Sequence, residues 1–93
     1  MLNKKQKERK EEEIGKIIHY YDKIGVAIIE IGKPGLRVGD AIHIKGHIDD
    51  FDQKVESMEV EHSEVLEAVK GDVIGLKVPQ KVHEGDKVYR AQE

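Results

Sequence analysis

The sequence predicts an all-β fold: a small closed barrel of six strands behind a short charged N-terminal tail. Three observations carry this reading. Segments of strand length, rich in Ile, Val and Tyr, follow one another at short intervals. Apolar residues alternate with polar ones inside them. The dipeptide Gly-Asp recurs three times, each time just before such a segment. Ninety-three residues make one domain, large enough for a modest core and below the size at which chains divide.

Residues 1–13, "MLNKKQKERKEEE", lack periodic apolar positions and are rich in Lys, Gln and Glu, so they read as a solvated tail or frayed helix. The barrel domain is expected over residues 14–93. Its six segments are "IGKIIHYY", "GVAIIEI", "DAIHIKG", "KVESMEVEH", "DVIGLKV" and "DKVYRA". Turn residues such as Asp22, Gly25, Gly32, Pro34, Gly35, Gly39 and Gly71 separate them.

Period-two alternation places Ala27, Ile29 and Ile31 on one face, then Ile42 and Ile44, then Ile74, Leu76 and Val78, with His43, Lys45 and Lys77 opposite. Apolar in and polar out describes a sheet with one wet face, and closure into a barrel removes its edges. In "KVESMEV" the phase fails, since Val55 and Met58 cannot both point inward from a regular strand; a bulge near Ser57 is expected.

The repeated dipeptides are Gly39-Asp40, Gly71-Asp72 and Gly85-Asp86. Gly takes a positive φ that ends a loop tightly, Asp can bond backbone N–H groups just ahead, and a β-branched run then enters the sheet. All six residues are read as structural turns.

Composition narrows the function. Charged and apolar residues each make up 38%, and the net charge is −3. It is unevenly spread, with a balance of +1 in residues 1–13 and −4 in the remainder. No segment is strongly basic, so any nucleic-acid contact must have a small footprint. Cysteine is absent, which excludes disulfides, thiolate metal sites and a cysteine nucleophile. Threonine is absent too, and a Lys/Glu-rich, Cys-free, nearly Asn-free chain is what high-temperature organisms favour. The longest apolar runs are too short to span a bilayer, and residues 1–13 carry no secretion signal; a soluble, cytoplasmic protein is expected.

His19, His43, His47, His62 and His83 form no metal-binding helical pair and read as surface residues, so no metal or other cofactor is expected. The acidic stretch "HIDDFDQ", with Asp49, Asp50 and Asp52, lacks the Gly and distal Glu of a calcium loop and reads as a solvated hairpin tip with Phe51 folded onto the barrel. The only serines, Ser57 and Ser63, lie in no nucleophile elbow, so the chain is not expected to be an enzyme. Tyr20 and Tyr21 put one ring inward and one outward, and the outer ring can stack on a base.

Over Val55 to Val78, "VESMEVEHSEVLEAVKGDVIGLKV" resembles the second domain of translation GTPases such as elongation factor Tu and its archaeal and eukaryotic counterpart, with their V-x-S-x-E strand and G-D/E-x-x-G strand. "LRVGDAIHI", "IGKI" and "VHEGDKVY" resemble that domain's other strand entries, so the likeness covers Ile14 to Tyr89. The same barrel is reused as the C-terminal domain of peptidase family U32 proteins, to whose closing segment "VPQKVHEGDKVYR" is also similar.

The resemblance implies a Greek-key-like closed barrel and a site holding the 3′ end of transfer RNA. Glu59 stands at the family's pocket Glu, His62 where it has Arg or His, and Lys77 where the bacterial factor has an apolar residue. Without a G-x-x-x-x-G-K-[ST] loop the chain is no GTPase by itself, and no nucleotide is expected. The leading expectation is a stand-alone module contacting transfer RNA, the ribosome or a translation-related protein through Glu59, His62, Lys77, Tyr20 and Tyr21. The alternative is a structural or assembly subunit that binds a separate protein chain.

Overall fold

The structure is a computed structural model that describes the backbone of residues 10–92 and the side chains of residues 11–90. Ten strands account for the regular structure, and no helix occurs among the described residues: β1 (Lys10–Tyr21), β2 (Val26–Ile31), β3 (Leu36–Arg37), β4 (Ala41–Lys45), β5 (Asp50–Lys54), β6 (Met58–Val60), β7 (Ser63–Val65), β8 (Glu67–Ala68), β9 (Val73–Lys77) and β10 (Lys87–Gln92).

Eight strands form one sheet in the order β5-β4-β10-β1-β2-β9-β6-β7, and β3 pairs separately with β8. The fold is all-β, as alternation predicts, but the expected closed six-stranded barrel does not form. The sheet curls into a half-barrel whose end strands, β5 and β7, share no ladder. Side-chain and loop bonds cross the open seam instead: Gln53 Nε2 of β5 donates to the Lys77 carbonyl at the end of β9 (3.0 Å), and Val38 N–H donates to the Leu66 carbonyl (3.0 Å).

The longest strand holds the sheet together. The first half of β1 pairs with β10 and the second half with β2, all antiparallel. Two register shifts interrupt it, between Glu13 and Gly15 and between Ile17 and His19. Each bulge turns the following side chains by one position, so Ile14 and Ile17 are both buried despite their odd spacing and Ile18 is pushed outward. The strand starts at Lys10, so residues 10–13, assigned to the tail on composition, pair with β10; residues 1–9 lie outside the described residues.

The core is aliphatic: Ile14, Ile17, Ile29, Ile31, Ile42, Ile44, Val55, Met58, Ile74 and Leu76 are all at most 2% exposed. Val55 and Met58 do share the inside, though not through a bulge within one strand. The chain breaks between β5 and β6, and residues 55–57 link the two without strand structure.

The acidic stretch departs most from expectation. It is the edge strand β5, paired with β4 from Ala41↔Lys54 to Lys45↔Asp50, with Phe51 packed against the core. Charged residues on the outer positions of an edge strand discourage pairing with other chains.

The three Gly-Asp turns are built alike. Gly39, Gly71 and Gly85 have φ of 102°, 96° and 95°. In each turn the Asp N–H donates to the carbonyl three residues earlier (Arg37, Val69, His83; 2.9–3.1 Å). Its carboxylate accepts the N–H of that same residue (2.9, 2.9 and 3.0 Å). The bonded N–H thus precedes the Asp. Each turn also docks on one buried residue through two backbone bonds: the Gly N–H donates to, and the Asp carbonyl accepts from, Val55, Ile31 and Ile17 in turn (2.8–2.9 Å). A strand starts at the next residue every time.

At Gly71 no atom lies within 4 Å of a built Cβ, so substitution there is opposed by φ alone. Gly71→Val is therefore expected to cost about 1–3 kcal/mol and Asp72→Ala about 1 kcal/mol, measured by urea denaturation. Equal costs would remove this account of the turn.

Candidate functional site

Two places on the molecule combine chemistry with shape. The first is an open groove of about 400 Å³ on the outer face of the sheet. Outward positions of β2 supply Val26 and Ile28, those of β9 supply Val73 and the bare Gly75, and Tyr21 and Ile24 close one end. Tyr21, Ile24 and Val73 are 49%, 59% and 43% exposed, an apolar face where alternation calls for a polar one.

The opposite rim is acidic. Glu59 on β6 stands opposite Gly75, and the β6–β7 hairpin turns on two residues, Glu61 and His62, with φ of 52° and 69°. Positive φ at both positions marks a type I′ hairpin loop, where Asn and Gly are the preferred residues. Here a Glu and a His occupy them and line the groove. The lining contains two carboxylates and no Lys or Arg.

The second place is buried. Asp86 of the third Gly-Asp turn is 3% exposed, and Asp49, just before β5, is 6% exposed. Their carboxylates meet, and His83 Nδ1–H donates to Asp49 Oδ2 (2.7 Å). The Asp86 carboxylate occupies the space that a Cβ on residue 46 would need, so Gly46 is required by close approach. Burial, and then the neighbouring Asp49, push the Asp86 carboxyl up to about 6; the bond with Asp86 holds Asp49 below the usual carboxylate range, and His83 adds to that.

His43 is a third ionic centre. Its Nδ1 faces Glu11 Oε2 (2.7 Å) and its Nε2 faces Asp50 Oδ1 (2.5 Å), so the imidazolium donates on both sides and ties β1, β4 and β5 together. Burial lowers its pKa, but the bonds to Asp50 and Glu11 together outweigh that, and the net shift is upward. His43 is thus a largely buried part of an ion cluster rather than the surface histidine expected, and His83, which does lie at the surface, is paired with buried Asp49. Asp49 is not at a solvated tip.

Of the residues singled out from sequence, Tyr21, Glu59 and His62 come together in the groove. Lys77 does not: it lines a separate cleft with Gln53, Lys54 and Pro79. Tyr20 is half-buried against the core, and Tyr21 stands edge-on to His19 (centroids 4.4 Å apart). Sequence reasoning missed Val26, Ile28 and Val73, although apolar residues at outward positions were there to be read.

No family model matches the chain. It is 39% identical over 82 residues, 87% of its length, to an uncharacterized protease of Methanocaldococcus jannaschii, and 41% identical over 78 residues, 83% of its length, to a collagenase of Porphyromonas gingivalis. The chain spans about a fifth of the length of either relative: 20% of the first and 22% of the second. Two solved structures share its fold, both of the C-terminal domain of a Geobacillus thermoleovorans protein described as a U32 peptidase. One has a TM-score of 0.79 at 21% identity and covers 100% of both chains. The other has a TM-score of 0.77 at 22% identity, covering 83% of this chain and 96% of that one.

The sequence likeness to a protease and a collagenase, and the shared fold with the C-terminal domain of a U32 peptidase, overturn the resemblance to the second domain of translation GTPases. Short strand-entry signatures around Gly-Asp turns report turn geometry and not family, so the motif order misled. The reading as a translation-factor-like module falls with it, and with that the resemblance no longer supports transfer RNA, the ribosome or a translation-related protein as partners. The expected cytoplasmic location is replaced by a narrower fact: no helix among the described residues is long and apolar enough to cross a membrane.

The two ion clusters give separable pH effects. The folded pKa of Asp86 is raised from 3.8 to about 6, so the native state holds the extra proton between those values and stability falls as pH rises through them. Asp86→Asn keeps an acceptor for the His83 N–H and offers an N–H to Asp49. With a chelator present, it should flatten that slope and gain about 1–2 kcal/mol over wild type at neutral pH. His43, raised from 6.5, stabilises fully below that value and loses its contribution as pH rises through the higher folded one. His43→Gln should flatten only this upper window. An unaltered acid-side slope in Asp86→Asn would show that the carboxyl pair is not its source.

Proposed function

We propose that this chain is a non-catalytic, polypeptide-binding domain of the kind carried at the C-terminus of U32-type peptidases, and that it holds a substrate segment in the groove for a catalytic chain to cut. The observation that carries this is the 39–41% identity over more than four-fifths of the chain to proteins named a protease and a collagenase, of which it spans about a fifth. A fold likeness to a C-terminal domain over its whole length supports the same assignment.

The chemistry agrees. No cysteine is present, and the serines Ser57 and Ser63 are exposed. The Asp49–Asp86 pair is more than nine-tenths buried and does not line the groove. The groove suits an extended or unfolded segment with an apolar side chain for Tyr21, Ile24 and Val73 and a Lys or Arg beside it for Glu59 and Glu61.

Purified chain should leave gelatin uncut, while labelled peptides with an apolar residue next to Lys or Arg bind in fluorescence polarisation. Tyr21→Ala with Ile24→Ser should weaken that binding at least about tenfold, and reversing Glu59 and Glu61 to Lys should lower its on-rate and its salt dependence. His62→Gly should relax the hairpin and raise stability by about 1 kcal/mol. Gelatin hydrolysis by the purified chain would overturn the non-catalytic assignment. Peptide binding indifferent to all the groove substitutions would overturn the groove.

A further inference from the structure

We propose that Asp49, His83 and Asp86 form a divalent-cation site, of the zinc or manganese class, that pins the third Gly-Asp turn to the segment leading into β5. One nitrogen and two carboxylate donors lie within 4.8 Å of one another. Bond lengths of about 2.0–2.2 Å to an ion at their centre require them to draw in only slightly. An imidazole with two carboxylates suits a borderline first-row ion better than calcium or magnesium, which prefer all-oxygen shells.

A built arrangement separates this cluster from ordinary acidic surface. Backbone bonds fix each donor: the His83 N–H donates to Asp86 Oδ2, the Asp86 carbonyl accepts from Ile17, and the Asp49 carbonyl accepts from Gly46. Gly46 leaves its side-chain space to Asp86. The two carboxylates are nine-tenths or more buried and face each other, and two such acceptors come together only around a shared proton or a cation. The sister turns have other solutions. Asp40 meets Arg90 (3.3 Å), and Asp72 bonds the Val69 N–H (2.9 Å). Asp86 meets a second carboxylate and, among the described residues, no Lys or Arg.

Access exists on one side. A cleft lined by Gly46, His47, Ile48, His83, Glu84 and Asp86 opens onto the cluster, wide enough for an ion and its remaining water ligands. With the cation bound, the β4–β5 connection and the start of β10 are joined at a point that no ladder bond covers. The site lies apart from the groove and does not depend on the peptide-binding reading.

The test uses the full chain, stripped with chelator and titrated at neutral pH with zinc by calorimetry and with manganese by amide NMR. One zinc ion per chain should bind and raise the melting temperature, and manganese should broaden Gly46, Asp49, His83 and Asp86 before other residues. Asp86→Asn and His83→Ala, tested separately, should each remain folded by NMR and weaken zinc at least about tenfold. Failure of wild type to bind at high micromolar metal would overturn the site. So would broadening centred on His43, Glu11 and Asp50, or full affinity in both variants.

Discussion

The two-bond dock between each Gly-Asp turn and one buried strand residue is the constraint on which the rest of this structure depends. A short all-β chain has few long ladders, and here β3, β6, β7 and β8 are only two or three residues long. Such strands cannot set their own register. Docking the turns onto the backbones of Val55, Ile31 and Ile17 sets the register of β4, β9 and β10 from outside, because each strand begins one residue after its Asp. These three docked residues are themselves at most 2% exposed, so turn and core hold one another. A φ near +100° is what lets the Gly N–H and the Asp carbonyl face the same partner, and glycine is the residue that adopts it without strain.

That constraint leaves the Asp side chain free to vary in its second role. Its turn bond leaves the carboxylate able to meet a second group, which differs between turns: Arg90 at Asp40, on the same Oδ2 that accepts the Arg37 N–H, and Asp49 at Asp86. A motif that forms the same turn at every copy can therefore carry chemistry at one of them. The difference comes from what the fold packs beside it and not from the motif.

How much was legible follows from the range of each interaction. Alternation is local, so the inward sets of β2, β4 and β9 could be read directly, as could the turns. Residues 50–54 could not, because a strand of Asp, Phe and Gln looks like a loop until β4 offers it a partner and His43 a counter-charge. The pairing of Asp49 with Asp86 joins positions remote in sequence, and nothing local announces it. β1 hides its bulges because the compensating partners, β2 and β10, lie on different sides. The groove stands between these cases: Val26, Ile28 and Val73 are visibly apolar, but reading them as a surface requires knowing that β2 and β9 are neighbours.

The placement of the groove also follows from the unclosed sheet. In a closed barrel β6 and β7 would be drawn into the ladder on both sides. Here β6 pairs with β9 through the single Glu59↔Gly75 match and then turns back at once on Glu61 and His62. Glu59 and Glu64 stand directly opposite each other in that hairpin, a like-charge pair that disfavours the local fold, and the turn adds two positive-φ residues that are not glycine. Both features cost stability, and both concentrate negative charge where the apolar face of β2 and β9 ends. Local rules broken together at one edge of a hydrophobic patch are the structural ground for proposing a binding surface there.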